Sequence, residues 1–486
     1  MWTQRDQLQA YQFLRRRIVS ALQFGDANHP AAPARRVLVG TAVGLGCALL
    51  VTAGFGIYGL FRPGNNDSWR EAGRVVIEKE SGASYVLGED GRLHPVLNYA
   101  SARLLAGAGA RTVSVSARSL AGAPRGLPLG IPGAPTSLPA RDALLTDAWS
   151  VCSSRPAGSA EATPPSTTVT VGAAVAGTDL VPGQAVLVQA GDVSYAITDG
   201  RRLRLRGAAV AVALGYDGAA PVPVTESWVN AIPPGPDLAL IEVADSGGRG
   251  PRLGDRRTTV GQVLVVASTV RDEQRFYLVR PDGLAPITGT EAELILNNKA
   301  NRAAYPDGPP AAIPVAAADV AGVDVAGPPA ATGAAGVGTT GATRAGDGLP
   351  VAVPALVALP AGQPALCAVR REATTSVRVS AGPPVAGGGR PVPVARGTRD
   401  ARTADFVQVP PGAGVLVAER QSATAETGTT YLVTDQGMRF PLGGPDDVAA
   451  LGYDGEQPVP VAAALLALLP TGTLLDAASA RQAVAP

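Results

Sequence analysis

Residues 37–61, VLVGTAVGLGCALLVTAGFGIYGLF, run for 25 positions without a charge. At ~1.5 Å per residue such a helix is about 37 Å long, enough to cross a hydrocarbon core of about 30 Å with some tilt. A soluble core helix of this length would carry a polar face, and a cleaved signal would begin nearer the N-terminus with a shorter apolar run. The stretch therefore predicts a retained single span, with the residues before it on one side of a membrane and those after it on the other. Gly40 and Gly44 are spaced as GxxxG, a pattern that lets two helices approach closely in lipid. Glycine is also common throughout this chain, so the pair is a candidate packing site and no more.

Ahead of the span, TQRDQLQAYQFLRRRIVSAL (3–22) predicts an amphipathic helix. Thr3 and Asp6 are spaced to cap its start. Leu8, Tyr11, Leu14, Ile18 and Leu22 recur at three- and four-residue steps and share one face. Arg15, Arg16 and Arg17 suit an anionic membrane surface or an acidic partner. A segment this short has no core to fill, so its apolar face is expected to meet a partner or the bilayer surface.

The net charge is +1, from 41 basic and 40 acidic residues, and gives no basic field for nucleic acid. Of the three cysteines, Cys47 falls in the span, which leaves Cys152 and Cys367 as the pair in the large part. Either they are two buried thiols or they form a disulfide. Their isolation in a cysteine-poor chain favours the bridge and an oxidising compartment. Arginines flank the span on both sides, so charge alone orients it weakly, and the cysteine pair favours a large extracytoplasmic part.

After the span the chain repeats itself. VVIEKESGASYVLGEDG (75–91), VLVQAGDVSYAITDG (186–200), VLVVASTVRDEQRFYLVRPDG (263–283) and VLVAERQSATAETGTTYLVTDQG (415–437) each read as a hairpin. Tyr85, Tyr195, Tyr277 and Tyr431 hold the same place. Helical stretches follow at 100–105, 208–216, 290–297 and 445–453, and LGYDG recurs at 214–218 and 451–455. A unit of about 50 residues cannot bury a core alone, so the units are expected to pack on one another or on a central body. The expectation is an α+β chain: a short cytoplasmic helix (1–36), a transmembrane helix (37–61), and four hairpin–helix–helix repeats (62–126, 184–236, 261–325, 412–476) around a mixed or β core. That core would come from 127–183, 237–260 and 350–411, with a flexible loop at 326–349, mobile Pro/Gly/Thr-rich stretches at 156–172 and 380–402, and a tail at 477–486.

Catalytic signatures are missing. The two histidines, His29 and His94, fall on opposite sides of the span, and neither lysine (Lys79, Lys299) stands in a phosphate-binding loop. Gly336, Gly338 and Gly341 match GxGxxG, but with no strand before or apolar helix after. Asp90, Asp199, Asp282 and Asp435 recur beside the hairpin glycines and read as turn residues rather than as metal or acid–base groups. No catalytic, cofactor-binding or metal-binding residue is expected.

The opening helix, the single span, HPVLNYASARLL (94–105), GIPGAPTSLP (130–139) and WSVC (149–152), in that order, resemble the EccB family, membrane components of type VII (ESX) secretion systems of actinobacteria. The resemblance implies a cytoplasmic N-terminal helix, an extracytoplasmic body stapled by Cys152 and Cys367, and a place in a large inner-membrane oligomer. Its partners there would be an FtsK/SpoIIIE-type ATPase, a multi-spanning channel subunit and the other membrane subunits. ATP hydrolysis has been attributed to the family, and this sequence offers no phosphate loop for it. The readings set against one another are a scaffold of the export apparatus, a nucleotide hydrolase, and a wall-binding anchor, for which aromatic residues are too few.

Overall fold

The computed structural model describes residues 3–28, 33–61, 67–146, 149–155, 163–173, 175–267, 274–324, 348–360, 364–371, 374–381, 392–394, 402–421 and 427–484. The chain divides into two compact units, Met1–Leu93 with Thr112–Gly126, and His94–Arg111 with Leu127–Pro486.

The first unit opens with the helix Gln4–Phe24. Gly25 ends it in the left-handed conformation (φ 68°), donating its N–H to Ala21 O at 3.0 Å, as a glycine cap does. The apolar helix spans Pro33–Phe61 and starts on a proline, whose missing N–H costs nothing in a first turn. A four-stranded sheet follows, in the order Leu93–Val96, Ser84–Leu87, Arg74–Glu78, Arg111–Val115. Trp69, Val76, Leu93, Val115 and Leu120 are its buried core.

The second unit holds three more sheets with the same strand order, third–second–first–fourth: one from Gln184–Ala190, Val193–Thr198, Arg201–Arg204 and Val222–Pro223; one from Val263–Ala267, Gln274–Arg280, Gly283–Ile287 and Ile313–Pro314; and one from Gly414–Arg420, Thr427–Thr434, Arg439–Pro441 and Val459–Ala462. In all three the fourth strand lies parallel to the first. A parallel return needs a crossover, and the helices Ala208–Ala213, Gly289–Leu296 and Pro445–Leu451 provide it. The four tyrosines share one register: Tyr85 faces Val76, Tyr195 Val188, Tyr277 Leu264 and Tyr431 Val417. A Pro-x-Gly segment closes three of the sheets by a parallel bridge to the third strand, Leu93 to Arg125, Arg202 to Pro234 and Arg439 to Thr471.

A seven-stranded sheet lies at the centre of the second unit, in the order Val392–Pro393, Phe406–Gln408, Ser166–Val171, Trp149–Ser154, Ala365–Arg371, Thr374–Ser380, Thr178–Asp179. One face packs Trp149, Val151, Val169, Leu366, Ala368 and Val377 into a single cluster with Val188 and Val417 of the second and fourth sheets and with Trp228 and Leu466 of the helices Glu226–Ala231 and Ala463–Leu466 that follow them. Trp228 is fully buried and donates its indole N–H to Val151 O at 3.0 Å.

Three boundaries differ from expectation. Residues 166–171, inside the stretch read as a mobile loop, form a central strand, because STTVTV is β-branched and alternates once clear of Pro164 and Pro165. Residues 237–260 do not enter the central sheet: Leu238 bridges to Leu205 of the second sheet, and Arg249–Leu253 with Arg256–Thr259 form a separate two-stranded hairpin. The residues read as a tail fold back: Ala477–Ala480 is a helical turn capped by Asp476, and Ala483 bridges to Leu129. The glycines at 336, 338 and 341, and most of the 326–349 loop, lie outside the described residues, as does His29.

Candidate assembly surfaces

The N-terminal helix places its predicted stripe in the open. Leu8, Tyr11, Leu14, Ile18 and Leu22 are 52–82% exposed. At about 100° per residue Arg15 falls at the azimuth of Leu8 and Leu22, so on an apolar contact its guanidinium must reach outward along its own stem. The start is held by Asp6, whose carboxylate accepts from the Thr3 hydroxyl at 2.6 Å and the Thr3 N–H at 3.0 Å. Those bonds, the hydroxyl's first, hold Asp6 below the usual carboxylate range. The stripe as read from sequence omits Phe13, which lies on the opposite face, 61% exposed. Arg17 stacks over its ring at 5.7 Å, and only the i, i+4 aromatic–arginine spacing could have signalled this.

Within the second helix, Val37–Tyr58 is long and apolar enough to cross a membrane, and none of it is buried. Thr41 and Thr52 fold their hydroxyls back on the carbonyls of Val37 and Ala48, which removes the polar groups from the helix surface. Gly40 and Gly44 have nothing within 4 Å of where a Cβ would stand. That face is open to a second helix.

Rigid framing comes from the central sheet. Cys152 and Cys367 stand directly opposite on antiparallel strands, fully buried, and are joined as a disulfide with Cα atoms 4.0 Å apart. Two extended segments lead into those strands, and each is gripped by a sheet. Tyr453 donates its hydroxyl to Pro139 O at 2.9 Å, and Leu145 N–H bonds Gly414 O at 2.8 Å, fixing the approach to Trp149–Ser154. Tyr216 donates to Pro354 O at 2.7 Å, and Val357 N–H bonds Ala185 O at 3.0 Å, fixing the approach to Ala365–Arg371. Both tyrosines belong to the repeated LGYDG. Burial raises both phenols, Tyr216 to about 12. At the sheet edge, Arg378 holds Asp179 through Nε at 2.8 Å and Nη2 at 3.0 Å. The Arg378 hydrogen bond lowers the Asp179 carboxyl despite some desolvation.

Asp90, Asp199, Asp282 and Asp435 stand at hairpin turns and are not brought together. Asp199 adopts φ 47°, Asp90 accepts from Arg92 N–H at 3.0 Å, Asp282 pairs with Arg280 at 3.3 Å, and Asp435 accepts from Gly412 N–H at 2.8 Å. His94 turns its Nδ1 to Leu127 O at 2.9 Å. Among the described residues no group of three or more His, Cys, Asp or Glu is placed to share a metal ion.

One candidate membrane-spanning helix among the described residues, an exposed amphipathic helix and a β-rich body describe a membrane component with open contact surfaces. Residues 1–485 match the family described as type VII secretion system ESX-1, transport TM domain B, and the chain belongs to that family, EccB. It is 32% identical to the ESX-3 secretion system ATPase EccB3 of Mycolicibacterium smegmatis, over 99% of this chain and 91% of that one. It is 29% identical to the ESX-5 secretion system ATPase EccB5 of Mycobacterium tuberculosis, over 63% of this chain and 65% of that one. Among solved structures, it is similar to a chain of an intact ESX-5 inner membrane complex (TM-score 0.65, 25% identity, 100% of this chain and 96% of that one). It is also similar to the EccB3 dimer from the ESX-3 core complex (TM-score 0.64, 25% identity, 84% and 100%).

Proposed function

We propose that this protein is a scaffold of a type VII secretion membrane complex, anchored by residues 37–61, with residues 1–36 cytoplasmic and the β-rich body extracytoplasmic. The four like-ordered sheets are read as copies of one unit set around the disulfide-bearing sheet. Likeness to chains of ESX inner membrane complexes supports a place beside other membrane subunits, an FtsK/SpoIIIE-type ATPase and a multi-spanning channel subunit among them. The relatives carry the word ATPase in their names. In this chain no lysine stands in a phosphate-binding loop, so we read its contribution as structural, with no ATP turnover of its own. The observation that carries the reading is the exposed stripe Leu8, Tyr11, Leu14, Ile18 and Leu22, a surface built for contact on a segment with no core.

Each large apolar side chain buried in a contact contributes about 1.5–3 kcal/mol. Replacing Tyr11 and Leu14 with Asp therefore weakens association by ~100-fold or more. Affinity purification of the full-length variant, with insertion checked by alkaline extraction, is expected to lose the partner subunits. Wild-type recovery at wild-type salt resistance overturns the assignment of this helix.

A further inference from the structure

The hairpin Arg249–Thr259 carries four arginines, Arg249, Arg252, Arg256 and Arg257, against one acid, Asp255, and all five are exposed. Elsewhere in the body some arginines pair with acids, as Arg378 does with Asp179, Arg206 with Asp237 and Arg280 with Asp282. The four on this hairpin have no salt bridge among the described residues. Arg252 and Arg257 are direct cross-strand partners. Like charges at that position repel and weaken a hairpin. Here Thr258 and Leu253 turn inward and are buried, Thr258 bonding Pro251 O with its hydroxyl at 2.5 Å. Gly250 lies where any Cβ would strike Val279 of the third sheet. The ribbon is thus locked onto that sheet by its inner face, and its outer face presents two adjacent guanidinium groups.

We infer that the outer face of this hairpin docks an acidic segment of a neighbouring subunit, one carboxylate held between Arg252 and Arg257 and another by Arg249, whose partner Thr259 puts it on the same face. Two planar guanidinium groups side by side match a carboxylate in geometry as well as charge, and the anion turns their repulsion into attraction. The chain as a whole is nearly neutral, with 41 basic and 40 acidic residues, so this local excess does not follow from composition. A protein carboxylate is the occupant favoured, because the inference rests on the reading of the chain as a scaffold among other subunits. Bilayer phosphate is the competing source.

The test uses the full-length protein in detergent micelles and a fluorescent peptide bearing a run of glutamates. Wild type is expected to bind it, and binding should weaken about tenfold or more as salt rises from ~50 to ~500 mM. Arg252→Gln with Arg257→Gln should bind about tenfold more weakly still at low salt, while Arg302→Gln, exposed but off the hairpin, should bind as wild type. Equal binding by the double variant, or capture of phosphatidylglycerol vesicles with no capture of the peptide, overturns the inference. In membranes, Arg252→Glu with Arg257→Glu should lower the salt at which partner subunits dissociate, with the N-terminal helix intact. Unchanged salt resistance in that variant refutes the hairpin contact, whereas loss of partners only in the Tyr11/Leu14 variant leaves the scaffold reading standing without it.

Discussion

Replacing Cys152 and Cys367 with alanine removes a cross-link between residues 215 apart in sequence. In the chain-entropy picture a loop of that length restricts the unfolded chain by about 5 kcal/mol, a ceiling because a collapsed chain has less freedom to lose. Little offsets this on the folded side. The pair already faces across adjacent strands, flanked in register by Ser153 with Leu366 and Val151 with Ala368, so the sheet holds the same geometry without the bond. The variant should fold, and the cost should appear as a lower urea midpoint with a somewhat steeper slope, because the unlinked denatured chain exposes more surface. Burial adds a kinetic signature. Both sulfurs are shut off from solvent, in a cluster with Val175 and Val369, and thiol exchange needs an attacking thiolate to reach sulfur. Dithiothreitol should therefore leave the native bond intact and reduce it at the rate of unfolding. Urea curves by tryptophan fluorescence, with mass-spectrometric thiol counting, measure both effects. Coincident curves for wild type and variant, or full reduction of native protein within minutes without denaturant, would refute the reasoning.

Tyr453→Phe leaves Pro139 O buried without its donor and should cost about 1–3 kcal/mol, read as a fall in melting temperature. Tyr216→Phe should do the same at Pro354. Because the folded state raises the Tyr216 phenol to about 12 from an ordinary value near 10, its contribution is complete below the unfolded value. It is lost as pH climbs toward the folded one, so the wild-type advantage over Tyr216→Phe should shrink in alkaline melts. Asp179 works in the opposite direction. Its carboxyl is lowered by Arg378, so its contribution is complete above the unfolded value and lost as pH falls through the folded one. Asp179→Asn should flatten the acid limb of the stability profile, and an unchanged limb would count against the pair.

What was legible in the sequence was local. The hairpins could be read because β-branched runs are punctuated by Asp-Gly turns, and the helices after them because a helical stretch recurs at the same place in each copy, twice with LGYDG at its end. The long uncharged run declared its helix by length alone. The central sheet could not be read in this way. Its strands 149–154 and 365–371 are partners across more than two hundred residues, and the alternation of 166–171 sits directly after two prolines in a stretch whose composition reads as a loop. The parallel bridges that the Pro-x-Gly segments make to the third strands depend on contacts that no local pattern encodes. On the N-terminal helix the apolar stripe followed from spacing, whereas Phe13 was missed because it stands alone on a polar face.

The two tyrosine grips cross over. The segment that leads into the first cysteine strand is held by the fourth sheet, and the one that leads into the second is held by the second sheet. Each half of the chain thus completes the other, as in an exchanged dimer written into one polypeptide. A single cut between residues 325 and 347 would leave two fragments that remain one particle, joined by the buried disulfide and by both grips. Even after reduction the pieces would separate only when the central sheet itself came apart.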